Sequence, residues 1–222
     1  MPIERPGLPN LHQVTPAIYR SAQPSDAGFV ELERMGVRTV LSLRAFHADT
    51  LPIGSSLERE RISFKSWHPE AEDVERFFRC VMDPSRHPVL VHCQHGADRT
   101  GMMLALYRIA AHGWSKDEAI REMVEGGYGF HSIWTNLVEY VRAVDVEELR
   151  ELARISHHAL LRSRQLARSG VVGSESILAD HPGQLRSIRR QRLAPTALAQ
   201  PRDGRGEKCE LARRPSMPSV DS

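Results

Sequence analysis

One segment of this 222-residue chain carries reactive side chains at a spacing that suits a single reaction. It reads His92-Cys93-Gln94-His95-Gly96-Ala97-Asp98-Arg99-Thr100-Gly101. A cysteine acts as a nucleophile through its thiolate. Arg99 offers a planar fork that grips two oxygens of a phosphoryl group at once. Gly96, between them, lets the chain curl so that successive amides face one point and form a nest for an anion. A phosphoryl group held in that nest would have its equatorial oxygens bound while the thiolate attacks phosphorus. The amides of Gln94, His95, Gly96 and Ala97 are the candidate phosphate cradle. His92 is a candidate support for the loop and for the orientation of Cys93.

Such a loop needs a strand before it and a helix after it. Pro88-Val-Leu-Val-His92 is a compact apolar run suited to a buried central strand. Thr100 to Gly113 reads as an apolar helix closed by glycine. The loop therefore sits at a helix N-terminus, where unpaired amides and the dipole favour anions. Earlier segments extend the pattern. Val14–Tyr19 and Val37–Leu43 read as strands, Ser25 as the N-cap of a helix that stops at Gly36, and 44–60 as loop. Ile62–Trp67 alternates like a strand, Pro69 suits the first position of a helix, and Val74 to Met82 repeats at helical spacing. Ser115 to Glu118 is a capping box, Gly126-Gly-Tyr-Gly129 breaks the helix it opens, and a last helix runs from about Ser132 past Val144. The alternation of strands and helices predicts an α/β domain with a mostly parallel central sheet flanked by helices.

Composition narrows the class. Hydrophobic residues at 41% and charged residues at 26% suit a globular protein. No apolar run approaches the ~20 residues that span a bilayer, and the first ten residues lack a signal-type apolar region. Three widely spaced cysteines, Cys80, Cys93 and Cys209, argue against a disulfide framework and for a reducing, cytoplasmic setting. From residue 153 on, twelve Arg and one Lys stand against six acids, a net charge of +7, with no Phe, Trp or Tyr. The reading is a catalytic domain over 1–165 and a disordered basic tail over 166–222. The tail suits an anionic partner, but without aromatics for base stacking it carries no strong nucleic-acid signal.

The Cys93-x5-Arg99-Thr100 segment, with its Val-Leu-Val strand and Arg-Thr-Gly helix start, resembles the signature of the cysteine-dependent protein tyrosine phosphatase superfamily. Tyr19-Arg-Ser-Ala-Gln-Pro24, Gly36-Val-Arg-Thr-Val-Leu-Ser-Leu-Arg44 and Trp114-Ser-Lys-Asp-Glu-Ala119 are similar to its small dual-specificity-like branch of bacterial and plant or fungal type. The resemblance covers about residues 9–145. It implies hydrolysis of phosphomonoesters through a phosphocysteine, without a cofactor. Cys93 would be the nucleophile, Arg99 the phosphate ligand, and Thr100 the hydroxyl that stabilises the thiolate. Phosphotyrosine, phosphoserine or phosphothreonine, a phosphoinositide and an inositol phosphate all remain open as substrates. The reading from a different class is a phosphate-binding pseudophosphatase that serves as an interaction module, against which an intact Cys93 and Arg99 argue. A rhodanese-like sulfurtransferase would not need Arg99-Thr100 to close the loop.

The leaving oxygen needs a proton. In the resembled family an Asp in a mobile loop before the preceding helix supplies it, yet Phe64-Lys-Ser-Trp-His68 contains no carboxylate. Asp98, directly before Arg99, is the first candidate for the general acid. Asp73 and Glu70 are the alternatives, with a plain role as first-turn acids of a helix beside it. His92, Cys93 and His95 fit no standard zinc spacing, so no metal is expected there. Arg20 and Arg44 end strands near the loop and are candidates for its rim or for structural pairing. Trp67 and His68 are candidates for a pocket wall.

Overall fold

The computed structural model describes residues 2–154. The basic tail, and the domain boundary placed at 165, lie outside the described residues. The elements in chain order are β1 (His12–Thr15), β2 (Ile18–Ser21), α1 (Asp26–Arg34), β3 (Thr39–Ser42), β4 (Glu58–Arg61), α2 (Ala71–Val81), β5 (Val89–His92), α3 (Asp98–His112), α4 (Lys116–Glu125) and α5 (Thr135–Ala143). A further helical stretch begins at 146.

The sheet order is β1-β2-β5-β3-β4. Only β1 and β2 pair antiparallel; β5 is parallel to β2 on one side and to β3 on the other, and β4 is parallel to β3. The expected mostly parallel sheet is therefore present, and β5 lies at its centre because all four of its residues are buried. Period two divides its side chains between two cores. Leu90 and Val40 face Phe29 and Leu32 of α1. Val89, Val91 and Leu41 face the larger core built by α2 to α5, where Phe77, Phe78, Met102, Met103, Leu106 and Leu137 meet. Helices thus cover both faces, as a parallel sheet requires.

Local chemistry sets the helix ends. Ser25 accepts from Gly28 N–H at the start of α1, and Ser115 and Glu118 form the reciprocal capping box of α4. Gly113 ends α3 at φ 71°, in the left-handed region open to glycine.

Three boundaries differ from the sequence reading. Val14–Tyr19 is two strands joined by a tight turn. The helix assigned to Pro69 starts at Ala71 with Glu70 as N-cap. The strand expected at Ile62–Trp67 lies earlier, at Glu58–Arg61, inside the stretch read as loop. That strand is at the sheet edge and mostly exposed, so it carries Glu and Arg instead of an apolar face. Ile62 and Phe64 alternate with polar residues because they leave the strand and plug the core.

Candidate active site

The parallel strands β2, β5 and β3 run in register, pairing Ser21 with His92 and Ser42 with His92. Their carboxyl ends deliver the loop 93–97 and the segments after Ser21 and Ser42 to one place, the crevice where ligands bind in open α/β sheets. Cys93 is buried at the base of this loop.

The direction of the loop amides follows from where its carbonyls go. Cys93 O lies 3.3 Å from His92 Nδ1. Gln94 O accepts from Gln23 N–H at 3.2 Å. His95 O accepts from Asn10 Nδ2 at 2.9 Å. Gly96 O accepts from Arg20 Nη2 at 2.7 Å. In a trans peptide the N–H points opposite to the C=O of the same plane. Four carbonyls tied to the surrounding protein therefore turn four amides, those of Gln94, His95, Gly96 and Ala97, the other way. These are the four amides that the sequence reading names as the candidate phosphate cradle.

Gly96 makes this loop possible. Its φ is +69°, and a Cβ there would lie 2.4 Å from the backbone carbonyl of Ser21. Glycine is needed both for the left-handed conformation and for the close approach to β2. α3 begins directly after, with no side chain capping its N-terminus and Gly101 N–H closing the first turn on Ala97 O at 2.7 Å.

Arg20 supports the loop from beneath. It is buried, lies over the Tyr128 ring at 3.6 Å, and its Nη2 donates to Gly96 O at 2.7 Å and, at 3.5 Å, to Ala97 O. Burial pulls its pKa down to about 10, against the pull of Tyr128, Glu122 and Cys93, so it remains a cation at neutral pH. It is a structural partner of the loop and does not line the rim. Arg44 differs: Nη1 donates to Gln23 Oε1 at 2.8 Å, and burial and then the Arg99 charge lower its pKa, against the opposite pull of Asp49 and Cys93. Arg99 reaches across to Leu43 O, donating from Nη1 at 3.3 Å. Two guanidinium groups therefore stand on the β3 side of the site. The Thr100 hydroxyl is buried and has no hydrogen-bond partner among the described residues.

His92 is fully buried. Its Nε2 meets Asp49 Oδ2 at 2.9 Å. Asp49, in turn, accepts from Gln23 Nε2 at 2.8 Å, and its carbonyl accepts from Arg59. Burial pushes the Asp49 carboxyl up, but the bonds from His92 and Gln23 and the His92 charge outweigh it and hold the group below its ordinary value. Sequence reasoning missed Asp49, because it lies in a long loop with no motif around it.

The acid candidates separate in space. Asp98 is buried at the first turn of α3, and its carboxylate accepts from His131 N–H at 2.8 Å and faces His131 Nδ1 at 3.0 Å. The His95 ring is 5.0 Å from the His131 ring. His131 was not singled out in the sequence; only its position just after the Gly-rich break hinted at it. Asp73 sits in the first turn of α2, where burial and the neighbouring Glu70 push its carboxyl up to about 6. Trp67 is 60% exposed and stacks on Phe46 at 6.1 Å, so it is a surface pair and not core packing.

A family model described as "DSP-PTPase phosphatase fused to NAD+ Kinase" matches residues 8–136. The chain belongs to this DSP-PTPase family. The dual specificity protein phosphatase TpbA of Pseudomonas aeruginosa is 36% identical over 144 residues, covering 64% of this chain and 65% of that protein. A crystal structure of TpbA as a cysteine-to-serine variant in complex with pTyr matches with a TM-score of 0.60 at 29% identity, over 68% of this chain and 99% of that one. The inositol diphosphatase DSP5 of Arabidopsis thaliana is 29% identical over 129 residues, covering 51% of this chain and 60% of its own length. The chain thus spans less than two thirds of the length of TpbA and of DSP5. The α/β fold expected from sequence is the fold of this family. Among the described residues, no helix is long and apolar enough to cross a membrane.

Proposed function

We propose that this chain hydrolyses phosphomonoesters through a phosphocysteine intermediate. The observation that carries the reading is the set of four tied-back carbonyls, which turns the amides of Gln94 to Ala97 into a phosphate cradle above Cys93. The phosphoryl group enters this cradle with Arg99 forked on its oxygens. The Cys93 thiolate attacks phosphorus, the S–P bond forms and the P–O bond to the leaving group breaks. The leaving oxygen takes a proton from Asp98, whose carboxyl faces His131 Nδ1 at 3.0 Å. Water then attacks phosphorus while Asp98 takes back a proton; the new P–O bond forms, the S–P bond breaks to restore the Cys93 thiolate, and inorganic phosphate leaves. Thr100 supplies its free hydroxyl toward the sulfur, and His92, locked by Asp49, holds the strand end from which Cys93 projects.

Phosphorylated protein side chains are the substrate reading supported by TpbA, named as a dual specificity protein phosphatase and solved with pTyr. Inositol phosphates are a second reading, supported by Arg44 standing beside Arg99 as a second cation and by the name of DSP5. The working location is the cytoplasm, where the free thiols of Cys80 and Cys93 stay reduced. The tail from 166 would meet an anionic partner.

The test is Cys93→Ser. Turnover of an aryl phosphate and of a phosphotyrosine peptide should vanish, while binding of phosphate persists because the cradle is backbone. A stopped reaction of the native chain should yield one phosphate on Cys93. Turnover that survives the substitution, or that chelators abolish, overturns the proposal.

A further inference from the structure

Beside the cradle, three side chains that ligate metals converge. His95 lies in the loop itself, Asp98 opens α3, and His131 follows the Gly-rich break. One donor atom from each lies within 4.8 Å of the others. Two imidazoles and one carboxylate are the donor set that borderline divalent ions of the Zn(II) type favour. Bonds of ~2.0–2.2 Å to one ion place tetrahedral donors about 3.4 Å apart. The present spread is wider than that value; His95 and His131 are exposed and Asp98 is buried.

The backbones that carry the three donors are tied together. Asn10 Nδ2 donates both to His95 O at 2.9 Å and to Tyr128 O at 2.9 Å, which joins the cradle to the segment leading to His131. His12 Nε2 meets Asn10 Oδ1 at 3.0 Å and keeps that amide in place. His131 N–H is fixed on Asp98 at 2.8 Å. Arg20 holds the cradle from the other side through Gly96 O. Three donors thus stand on a braced frame, at the point where a fourth ligand can come from water or from a phosphoryl oxygen.

We propose that His95, Asp98 and His131 bind one Zn(II)-type divalent ion at the mouth of the Cys93 loop. The site does not depend on the phosphatase reading. Its consequence for turnover does: an ion on Asp98 occupies the carboxylate that the phosphatase reading uses to protonate the leaving group. Loaded enzyme should then lose rate with a poor alkyl leaving group and keep most of it with an activated aryl one.

The test uses the full chain carrying Cys93→Ser, so that no thiolate competes at this loop. The protein is stripped with chelator, dialysed and titrated with Zn(II) by calorimetry. It is compared with the same protein carrying His131→Ala, His131→Gln or His95→Ala. His131→Gln keeps a donor for Asp98 and so separates metal loss from loss of fold. Each change should remove one zinc per chain or weaken that site at least ~100-fold, more than the loss of an outer-shell partner. Co(II) added to the parent should give a visible absorption band that the variants lack. Equal zinc binding in all four proteins overturns the site, as does a loss confined to one histidine. With native Cys93 restored, zinc should slow alkyl phosphate turnover more than aryl, reversibly by chelator. Equal slowing of both would place the ion on Cys93 and overturn the consequence for turnover, leaving the calorimetric result to decide the site.

Discussion

His92 Nε2 stands 2.9 Å from Asp49 Oδ2, and neither side chain has exposed surface. The other Asp49 oxygen takes Gln23 Nε2, whose own oxygen takes Arg44. A relay of side chains, buried at His92 and Asp49 and half-buried at Gln23 and Arg44, therefore runs from the residue before the nucleophile to the second guanidinium of the site. Each member fixes the orientation of the next.

Asp49→Ala should be destabilising, by about 1–3 kcal/mol, because it leaves the buried His92 Nε2 without its hydrogen-bond partner. Asp49→Asn should cost less. The folded Asp49 carboxyl sits below its ordinary value, so its contribution is present above the unfolded range near ~3.9 and is lost as pH falls through the folded value. Urea unfolding of native and Asp49→Asn protein between pH 3 and 7 checks this. The gap between the two should be widest at pH 7 and close as the medium is acidified.

Gly96→Ala should fail more severely than an ordinary loop substitution. Its Cβ would meet the Ser21 carbonyl at 2.4 Å and the Ala22 amide at 2.6 Å, and backbone cannot swing aside. The loop must shift, and the four amides shift with it. Arg20→Met keeps the volume under the loop but releases Gly96 O. A hydrogen bond from a charged group is worth ~1.5–3 kcal/mol, so kcat/KM should fall about tenfold or more. Measuring thermal unfolding beside kinetics shows whether the loss is local.

The sequence made the reactive loop legible because its chemistry is local. Cys93, Gly96, Arg99 and the helix start lie within one turn of strand, loop and helix, and each has a residue type that few other roles require. The supports were not legible for the opposite reason. Asp49 reaches His92 across 43 positions and His131 reaches Asp98 across 33, and neither carries a periodic signal. β4 escaped because an exposed edge strand, Glu58-Arg-Glu-Arg61, has no apolar face to reveal it. Glu60 in fact pairs with Arg76 and Arg86, so its charges serve the surface between β4, α2 and the turn before β5.

Truncation after residue 165 should leave fold and turnover of a small phosphate ester nearly unchanged. The core already closes within the described residues, with Leu149, Leu152 and Ala153 packed into it. A cut before Leu149 should instead destabilise the protein, since it strips buried side chains worth ~2–5 kcal/mol each when lost. Unfolding midpoints of the two truncations, with aryl phosphatase rates, distinguish a tail from a structural element.

Asp73 gives a pH prediction of opposite sign to Asp49. Burial and Glu70 raise its folded carboxyl to about 6, above the unfolded value. Between pH ~4 and 6 the folded chain binds a proton that the unfolded chain has released, so stability falls as pH rises through that window. Asp73→Asn cannot ionise and should escape this fall. Its unfolding midpoint should rise relative to the native chain from pH 4.5 to pH 7.5, and parallel midpoints across that range would exclude the effect.

The proton donor can be assigned by leaving group. Acid catalysis of this type is worth ~10²–10⁴-fold. Asp98→Asn should lower kcat by that factor with an alkyl phosphate, whose oxygen departs only when protonated. With an activated aryl phosphate, which departs unaided, the loss should be far smaller. His131→Gln should follow the same pattern in weaker form, because it loosens Asp98 without removing the carboxyl. Asp73→Asn and Glu70→Gln are the controls. Glu70 caps α2 through backbone alone, with no side-chain bond to lose, so its substitution should leave both leaving groups unaffected. A dependence on leaving group in Asp73→Asn alone would move the acid to the start of α2, where the carboxyl already holds a proton up to about pH 6. Equal slowing of both leaving groups by Asp98→Asn would make Asp98 a positioning residue, acting through the start of α3 on Arg99, the next residue of that helix.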